Sequence, residues 1–347
     1  MKIAILFGGS SYEHEISIVS AITLKRALGA KESAFVYIDP DREIYIIEEK
    51  NMKSTYFSSR EYKKAKRVRI GKGDIYQASM LGEKGLGVDI VINLIHGRDG
   101  EDGKISSILD FNSISYIGPR TSASVVSYSK RLTKYFATGI GVEVLPFEMV
   151  DRDDERREPS FGFPVIVKPD RLGSSIGVSV ANSMEELDYA LDVAFEFDDE
   201  VLIEPFIEGI EEFNIAGCLT SGWELSIVEK PQKEKILDFD RKYLDFSREE
   251  AVSEAVIESS LKRELEETFQ KVYDPLFTGS VTRCDFFVRE GRIYLNEINP
   301  VPGSMAHYLF DDFPEMMKRL SQNIPLERDI KVNYSYIDSI RSAKGKA

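Results

Sequence analysis

The chain is poor in cysteine. Its only two, Cys218 and Cys284, lie far apart and form no metal or redox motif, which excludes a disulfide scaffold and fits a reducing cytosol. Long apolar runs are also missing. No stretch approaches the ~20 apolar residues of a membrane span. The opening "MKIAILFGG" carries about five apolar residues before Gly8, short of the ~7 to 15 of a signal-peptide core. The sequence therefore reads as a soluble cytoplasmic protein. Positive charge is in deficit, with 45 Lys plus Arg against 59 Asp plus Glu and a net charge of −14, which argues against a general nucleic-acid binder. Any anionic ligand must be met by local cations. Internal repeats, low-complexity tracts, a Walker loop and the G-x-G-x-x-G fingerprint are all absent. "HGRDGEDG", from His96 to Gly103, lacks the spacing of a calcium loop.

What the chain does have is length, and 347 residues predict two or three domains. "KIAILFGGSSYEHEISIVSAITLKRAL" reads as a buried strand, a Gly-rich turn and a helix with Ile16, Val19, Leu24 and Ala27 on its apolar positions. Strands at "AFVYID", "DIVINLIHG" and "SISYIG" continue an α/β domain over residues 1–120. Lys50 to Gly87 is its least legible part. A helix over "TSASVVSYSKRLTKYFA" and a strand over "VEVLPFEMV" follow, and "DRDDERREPS" reads as a solvated linker. Strands at "FPVIVKP", "IGVSVA" and "VLIEPFI", with the helix "MEELDYALDVAFEF", make a small α+β lobe ending the span 121–208. Residues 209–347 form a larger mixed lobe.

The richest stretch is "TRCDFFVREGRIYLNEINPVPGS", Thr282 to Ser304. Its two apolar runs flank "REGR" and predict a β-hairpin with Gly291 in the turn. Residues two apart share a face, so Arg283 lies with Asp285, and Glu297 with Asn299. A three-residue turn would bring both pairs to one side of the sheet, converging three oxygen ligands and a guanidinium. A surface salt-bridge ladder is the alternative.

Elsewhere, Lys168 ends a strand five residues before "GSSIG", whose small residues suit either a phosphate-covering loop or an ordinary turn. Lys130 is a second phosphate cation or a solvated lysine. Glu13, set in the first helical turn, is either a helix-dipole partner or a site for an ammonium group. His96 stands at a strand end where α/β sheets place ligands, or is structural. "KEKILDFDRKYLDFSREEA" combines dense charge with Phe239, Tyr243 and Phe246, as a lid that packs only when closed would, or a solvated loop.

Together these motifs resemble the D-alanine:D-alanine ligases of the ATP-grasp superfamily. The match runs from Lys2 to about Phe310 through "FGGSSYEHEIS", "NLIHGRDGEDG", "SYSKRLTKYFA", "FPVIVKPDRLGSSIGVSV", "LIEPFIEGIEEFNIAG", "DRKYLDF" and "TRCDFFVREGRIYLNEINPVPGSMAHYLF". The resemblance implies an N-terminal Rossmann-like domain followed by a two-lobed ATP-grasp fold, with ATP between the lobes and D-alanine against the first domain. It implies magnesium, as two ions that manganese replaces, held by Asp285, Glu297 and Asn299. Lys130, Lys168, Ser175 and Lys242 fall on the ATP side, Glu204 near adenine and Glu212 at the ribose. Arg283 matches the arginine that steadies the transferred phosphate, and Gly303 the backbone donor of the oxyanion site. Glu13, Ser174 and Tyr243 match a hydrogen-bonded set joining the first substrate to the lid. His96, Ser304, Tyr308 and Leu309 fall on the substrate side.

Two positions depart from the family pattern: Pro205 replaces a Lys found beside adenine in some relatives, and Tyr308 a Ser near the second substrate's carboxylate. The implied reaction joins two D-alanines through an acyl phosphate for peptidoglycan synthesis, in a homodimer with no nucleic-acid or membrane partner. Rivals are a ligase taking D-lactate or D-serine second, against which Tyr243 speaks for D-lactate, and a non-catalytic nucleotide-binding module.

Overall fold

Three sheets organise the chain in this computed structural model, which describes residues 1–29, 33–79, 82–231, 252–325 and 330–344. The first has a parallel half, β1 (Ile3–Gly8), β2 (Ala34–Ile38), β7 (Ile90–Asn93) and β8 (Tyr116–Ile117). Its antiparallel half is β3 (Ile44–Ile47), β4 (Lys66–Gly71), β5 (Asp74–Ser79) and β6 (Gly82–Gly85). The eight lie in the order β6-β5-β4-β3-β2-β1-β7-β8. The parallel strands are continuous apolar runs because both faces are covered. The antiparallel meander resolves the stretch that gave no readable pattern. Its strands are largely exposed and charged, so no apolar alternation marked them. Helices α1 (His14–Leu28), α2 (Ser54–Ser58) and α3 (Lys104–Phe111) complete this region.

The single helix expected over "TSASVVSYSKRLTKYFA" is two, α4 (Thr121–Tyr128) and α5 (Lys130–Gly139). Ser129 between them is extended, with φ −97° and ψ 122°, and its Oγ accepts from the Leu132 N–H at 3.1 Å. The serine thus caps the second helix, and the Lys130 N–H is turned outward to the Asp170 carbonyl.

The second sheet is antiparallel and consists of β9 (Glu148–Asp151), β10 (Val165–Pro169), β11 (Ser179–Ala181) and β12 (Glu200–Pro205), ordered β11-β10-β12-β9. Helix α6 (Met184–Phe195), capped by Ser183, buries Leu187, Leu191 and Phe195 with Val165, Val167 and Ile203. The charged run before β10 is exposed yet anchored, since Arg156 pairs with Asp192 and donates to the Asp188 carbonyl. The third sheet, β13 (Glu211–Leu219), β14 (Trp223–Leu225), β15 (Thr282–Arg289) and β16 (Arg292–Asn299), is ordered β14-β13-β15-β16. Helix α7 (Ser259–Tyr273) backs it through Leu265, Phe269 and Tyr273. Helices α8 (Phe313–Ser321) and α9 (Ser335–Lys344) end the described chain. No described helix is long and apolar enough to cross a membrane.

Candidate active site

The β15–β16 hairpin turns through two residues, Glu290 and Gly291, both at positive φ (52° and 77°), where three were expected. That turn matches the twist of a hairpin. Arg289 then faces Arg292, and by parity Asp285 would face Asn296, putting the two polar pairs on opposite sides. A β-bulge between Asp285 and Phe286 corrects this. One extra residue, Asn296, shifts the register so that Asp285 lies opposite Glu297, and Arg283 opposite Asn299. All four side chains share one face, as expected from sequence but for a different reason.

On that face the Arg283 guanidinium donates to both oxygens of Asp285, at 2.7 and 2.8 Å. Asn299 donates its amide to Asp285 Oδ2 at 3.1 Å, leaving its own carbonyl oxygen to another partner. Arg283 also donates to the Tyr308 hydroxyl, with Glu229 close by. Among the described residues no three His, Cys, Asp or Glu side chains gather as a metal set. Two carboxylates and an amide oxygen on adjacent strands nevertheless suit a hard divalent ion whose remaining ligands come from phosphates and water.

Three contacts tie the parts of the site together. Lys168, at the end of β10, donates to Glu204 Oε2 at 2.7 Å and to the bulged Asn296 Oδ1 at 3.3 Å. Ser174 Oγ donates to Glu13 Oε1 at 2.6 Å across the first and second sheets. Ser20 Oγ, on α1, accepts from the Ser304 N–H at 3.1 Å and meets His96 Nε2 at 2.9 Å. Each joins two of the three sheet regions.

Glu13 is the residue before α1 rather than inside its first turn, and its side chain does not cap the helix. It turns to Ser174. A Cβ at Gly97 would stand 2.6 Å from Glu13 Oε2, and one at Gly173 2.9 Å from Oε1. Glycine at both positions is thus what admits the carboxylate. Burial, with Glu101 next, raises Glu13 to about 7. Glu101 was not singled out by sequence; it is 17% exposed, and burial pushes it up to about 8. Burial lowers His96 to about 4, which keeps it neutral at pH 7 as a support beneath Glu13 and Ser304.

In the folded chain both carboxyls keep their protons well above the ordinary 4.5. The folded state therefore binds more protons than the unfolded one from pH 4.5 to about 8, so their contribution to stability falls as pH rises through that window. Glu101→Gln should shrink the loss of Tm between pH 5 and 8, measured by thermal melts in a buffer series. A pH slope identical to wild type would show that Glu101 titrates normally.

Glu204 is buried between two lysines, Lys168 and Lys134, the second of which was not singled out by sequence. Burial opposes its charge, but Lys168 and Lys134 bring it down to about 2. Removing one partner from such a buried pair is costly. Lys134→Met should lower stability by about 3 kcal/mol in urea unfolding; an unchanged midpoint would mean that Lys168 alone satisfies Glu204.

Lys130 Nζ donates to the Leu172 carbonyl at 2.6 Å, steadying the loop that carries Ser174 and Ser175, both at positive φ. Glu212 lies on β13 opposite Phe287. Gly303 and Ser304 open a turn in which Ser304, Met305 and Ala306 all have φ near 50°, a strained run that persists only where its surroundings fix it. Leu309, expected on the substrate side, packs with Ala216 and Ala306. Tyr243, Lys242 and the lid expected around them lie outside the described residues.

Two antiparallel four-stranded sheets, one carrying a lysine-lined loop and the other the Arg283 and carboxylate face, joined behind an α/β domain, define the ATP-grasp class. Residues 2–119 match the family model for the D-ala D-ala ligase N-terminus, and 136–320 that for its C-terminus. The chain belongs to the D-alanine–D-alanine ligase family. It is 55% identical over 347 residues to the D-alanine–D-alanine ligase of Sulfurovum sp., covering 100% of both chains. It is 53% identical to that of Nitratiruptor sp., over 99% of this chain and 100% of the relative. The crystal structure of D-alanine–D-alanine ligase from Helicobacter pylori superposes with a TM-score of 0.85 at 44% identity, over 94% of this chain and all of that one.

Proposed function

We propose that the protein is an ATP-dependent ligase that joins two D-alanines into D-alanyl-D-alanine for peptidoglycan precursor synthesis. The observation that carries this reading is the bulge-set register, with Asp285 opposite Glu297 and Arg283 opposite Asn299. A carboxylate oxygen of the first D-alanine attacks the γ-phosphorus of ATP, the bond from that phosphorus to the bridging oxygen breaks, and ADP leaves. The neutral amine of the second D-alanine then attacks the acyl carbon of D-alanyl phosphate. Phosphate departs with the electron pair and the new amide loses one proton.

Glu13, held by Ser174, receives the first substrate's ammonium, and the arriving positive charge draws its carboxyl back to the ionised form. Lys130, Lys168 and the Ser175 loop meet the phosphates, Glu204 lies near adenine, and Glu212 holds the ribose. Arg283 steadies the transferred phosphoryl group and, with the Gly303 N–H, the later oxyanion. Asp285, Glu297 and Asn299 would hold magnesium, as two ions or with manganese in their place. Such ions neutralise phosphate charge during transfer. Tyr308, beside Arg283, borders the second subsite, where its hydroxyl replaces the serine of many relatives. The protein works in the bacterial cytoplasm, as a homodimer.

Phosphate release from ATP with single D- and L-amino acids, followed by product mass analysis, tests the reading. D-alanine alone should support release and yield the dipeptide. Release without any dipeptide, or with L-alanine equally, would refute it.

A further inference from the structure

The last described helix carries an apolar face that its own sequence marks as a docking face. Its start is specified, because Asn333 Oδ1 accepts from the Ser335 N–H at 3.2 Å and from Ser335 Oγ at 2.9 Å. At ~100° per residue, Tyr336, Ile337, Ile340 and Ala343 fall in one arc of about 120°. Ser335, Asp338, Ser339 and Ser342 fall outside it. Yet Tyr336 is 84%, Ile337 52% and Ile340 54% exposed. A ten-residue helix is too short to be stable alone in water and depends on packing an apolar face.

A cleft of about 310 Å³ lies beside α8, the helix preceding this one in the described chain. Leu28, Ile90, Ile92, Ile117 and Met317 line it, with Lys318 at its polar edge. Ser33 also lines it, and its Oγ is buried without a hydrogen-bond partner. One wall is thus the end of the first sheet and the other is α8. From Ser321, on that second wall, to Ser335 is fourteen residues (335 − 321), which can span roughly 46 Å when extended. So short a tether gives a local concentration in the millimolar range. The matched family region stops at residue 320, so α9 lies beyond it.

We propose that α9 docks over this cleft of its own chain, seating Tyr336, Ile337 and Ile340 against Leu28, Pro314 and the stem of Lys318, above a floor of buried Ile92 and Met317. The mode is a helix in an apolar groove, anchored by residues one turn apart. Tyr336 brings a hydroxyl to the side of the cleft where Ser33 Oγ has no partner. The docked helix would clasp α8, from the end of the chain, to the edge of the first sheet, fixing the seat of the N-terminal region on the C-terminal one.

Disulfide trapping tests this in the full chain. Cys218 and Cys284 are both buried, so Lys318→Cys, at the exposed edge of the cleft, with Ile337→Cys supplies the accessible pair. Mild oxidation should give an intramolecular bond, read as a monomer on a non-reducing gel and by intact mass. A covalent dimer would place the helix on a second copy and overturn docking in the same chain; no bond at all would overturn it too. As a second readout, Ile340→Asp should speed hydrogen exchange in 313–321 and 90–93 by about tenfold or more, given the ~1.5–3 kcal/mol of burying one such side chain. Asp338→Asn, outside the apolar arc, should leave exchange as in wild type. Equal exchange in Ile340→Asp and wild type would contradict the proposal.

Discussion

Glu297→Gln should reduce turnover by on the order of 10³-fold at fixed magnesium while the protein keeps its melting temperature. Glu297 stands directly opposite Asp285, on the face shared with Arg283 and Asn299. Glutamine preserves the shape and the hydrogen-bonding capacity but removes the charge on which a hard cation depends. The measurement is a magnesium titration of steady-state turnover beside circular-dichroism melts. Full activity recovered at ordinary magnesium would mean that the ion is held elsewhere.

Arg283→Ala should lower kcat by roughly 10²- to 10³-fold, the cost of losing one preorganised charge at a developing anion. ATP affinity should change far less. The same substitution strips Asp285 of a guanidinium that reaches both its oxygens, leaving it opposite Glu297 without that charge. Magnesium should therefore raise the Tm of the variant more than that of wild type. Calorimetric titration of ATP separates the effects: if weakened nucleotide binding explained the entire loss, Arg283 would be a ground-state contact.

Both predictions rest on a face that the sequence predicted correctly through an incorrect turn. Period-2 spacing ties Arg283 to Asp285 and Glu297 to Asn299, and no local pattern in "YLNEIN" says which residue will bulge. The bulge is paid for by tertiary contact, Lys168 reaching Asn296 from another sheet. The strands of the parallel half were legible because burial on both faces leaves apolar runs. The meander over 66–85 was not, because exposed strands carry no such mark. Lys134 and Glu101 escaped for a related reason. A buried ionisable group is invisible in sequence until the fold brings its neighbour, Glu204 for the first and Glu13 for the second. Ser129 could have been found: a serine three residues before Leu132 is a capping signal, here masked by the helical pattern on either side.

The central claim is that a substrate carboxylate is activated by phosphorylation, and an isotope tests it most directly. D-alanine labelled with ¹⁸O in both carboxylate oxygens is incubated with the enzyme, ATP and magnesium, and the released phosphate and nucleotide are examined by mass spectrometry. One labelled oxygen should appear in inorganic phosphate for each dipeptide formed, with ADP unlabelled, because the attacking oxygen leaves with the phosphoryl group. Dipeptide formation with unlabelled phosphate, or with the label in AMP, would contradict it.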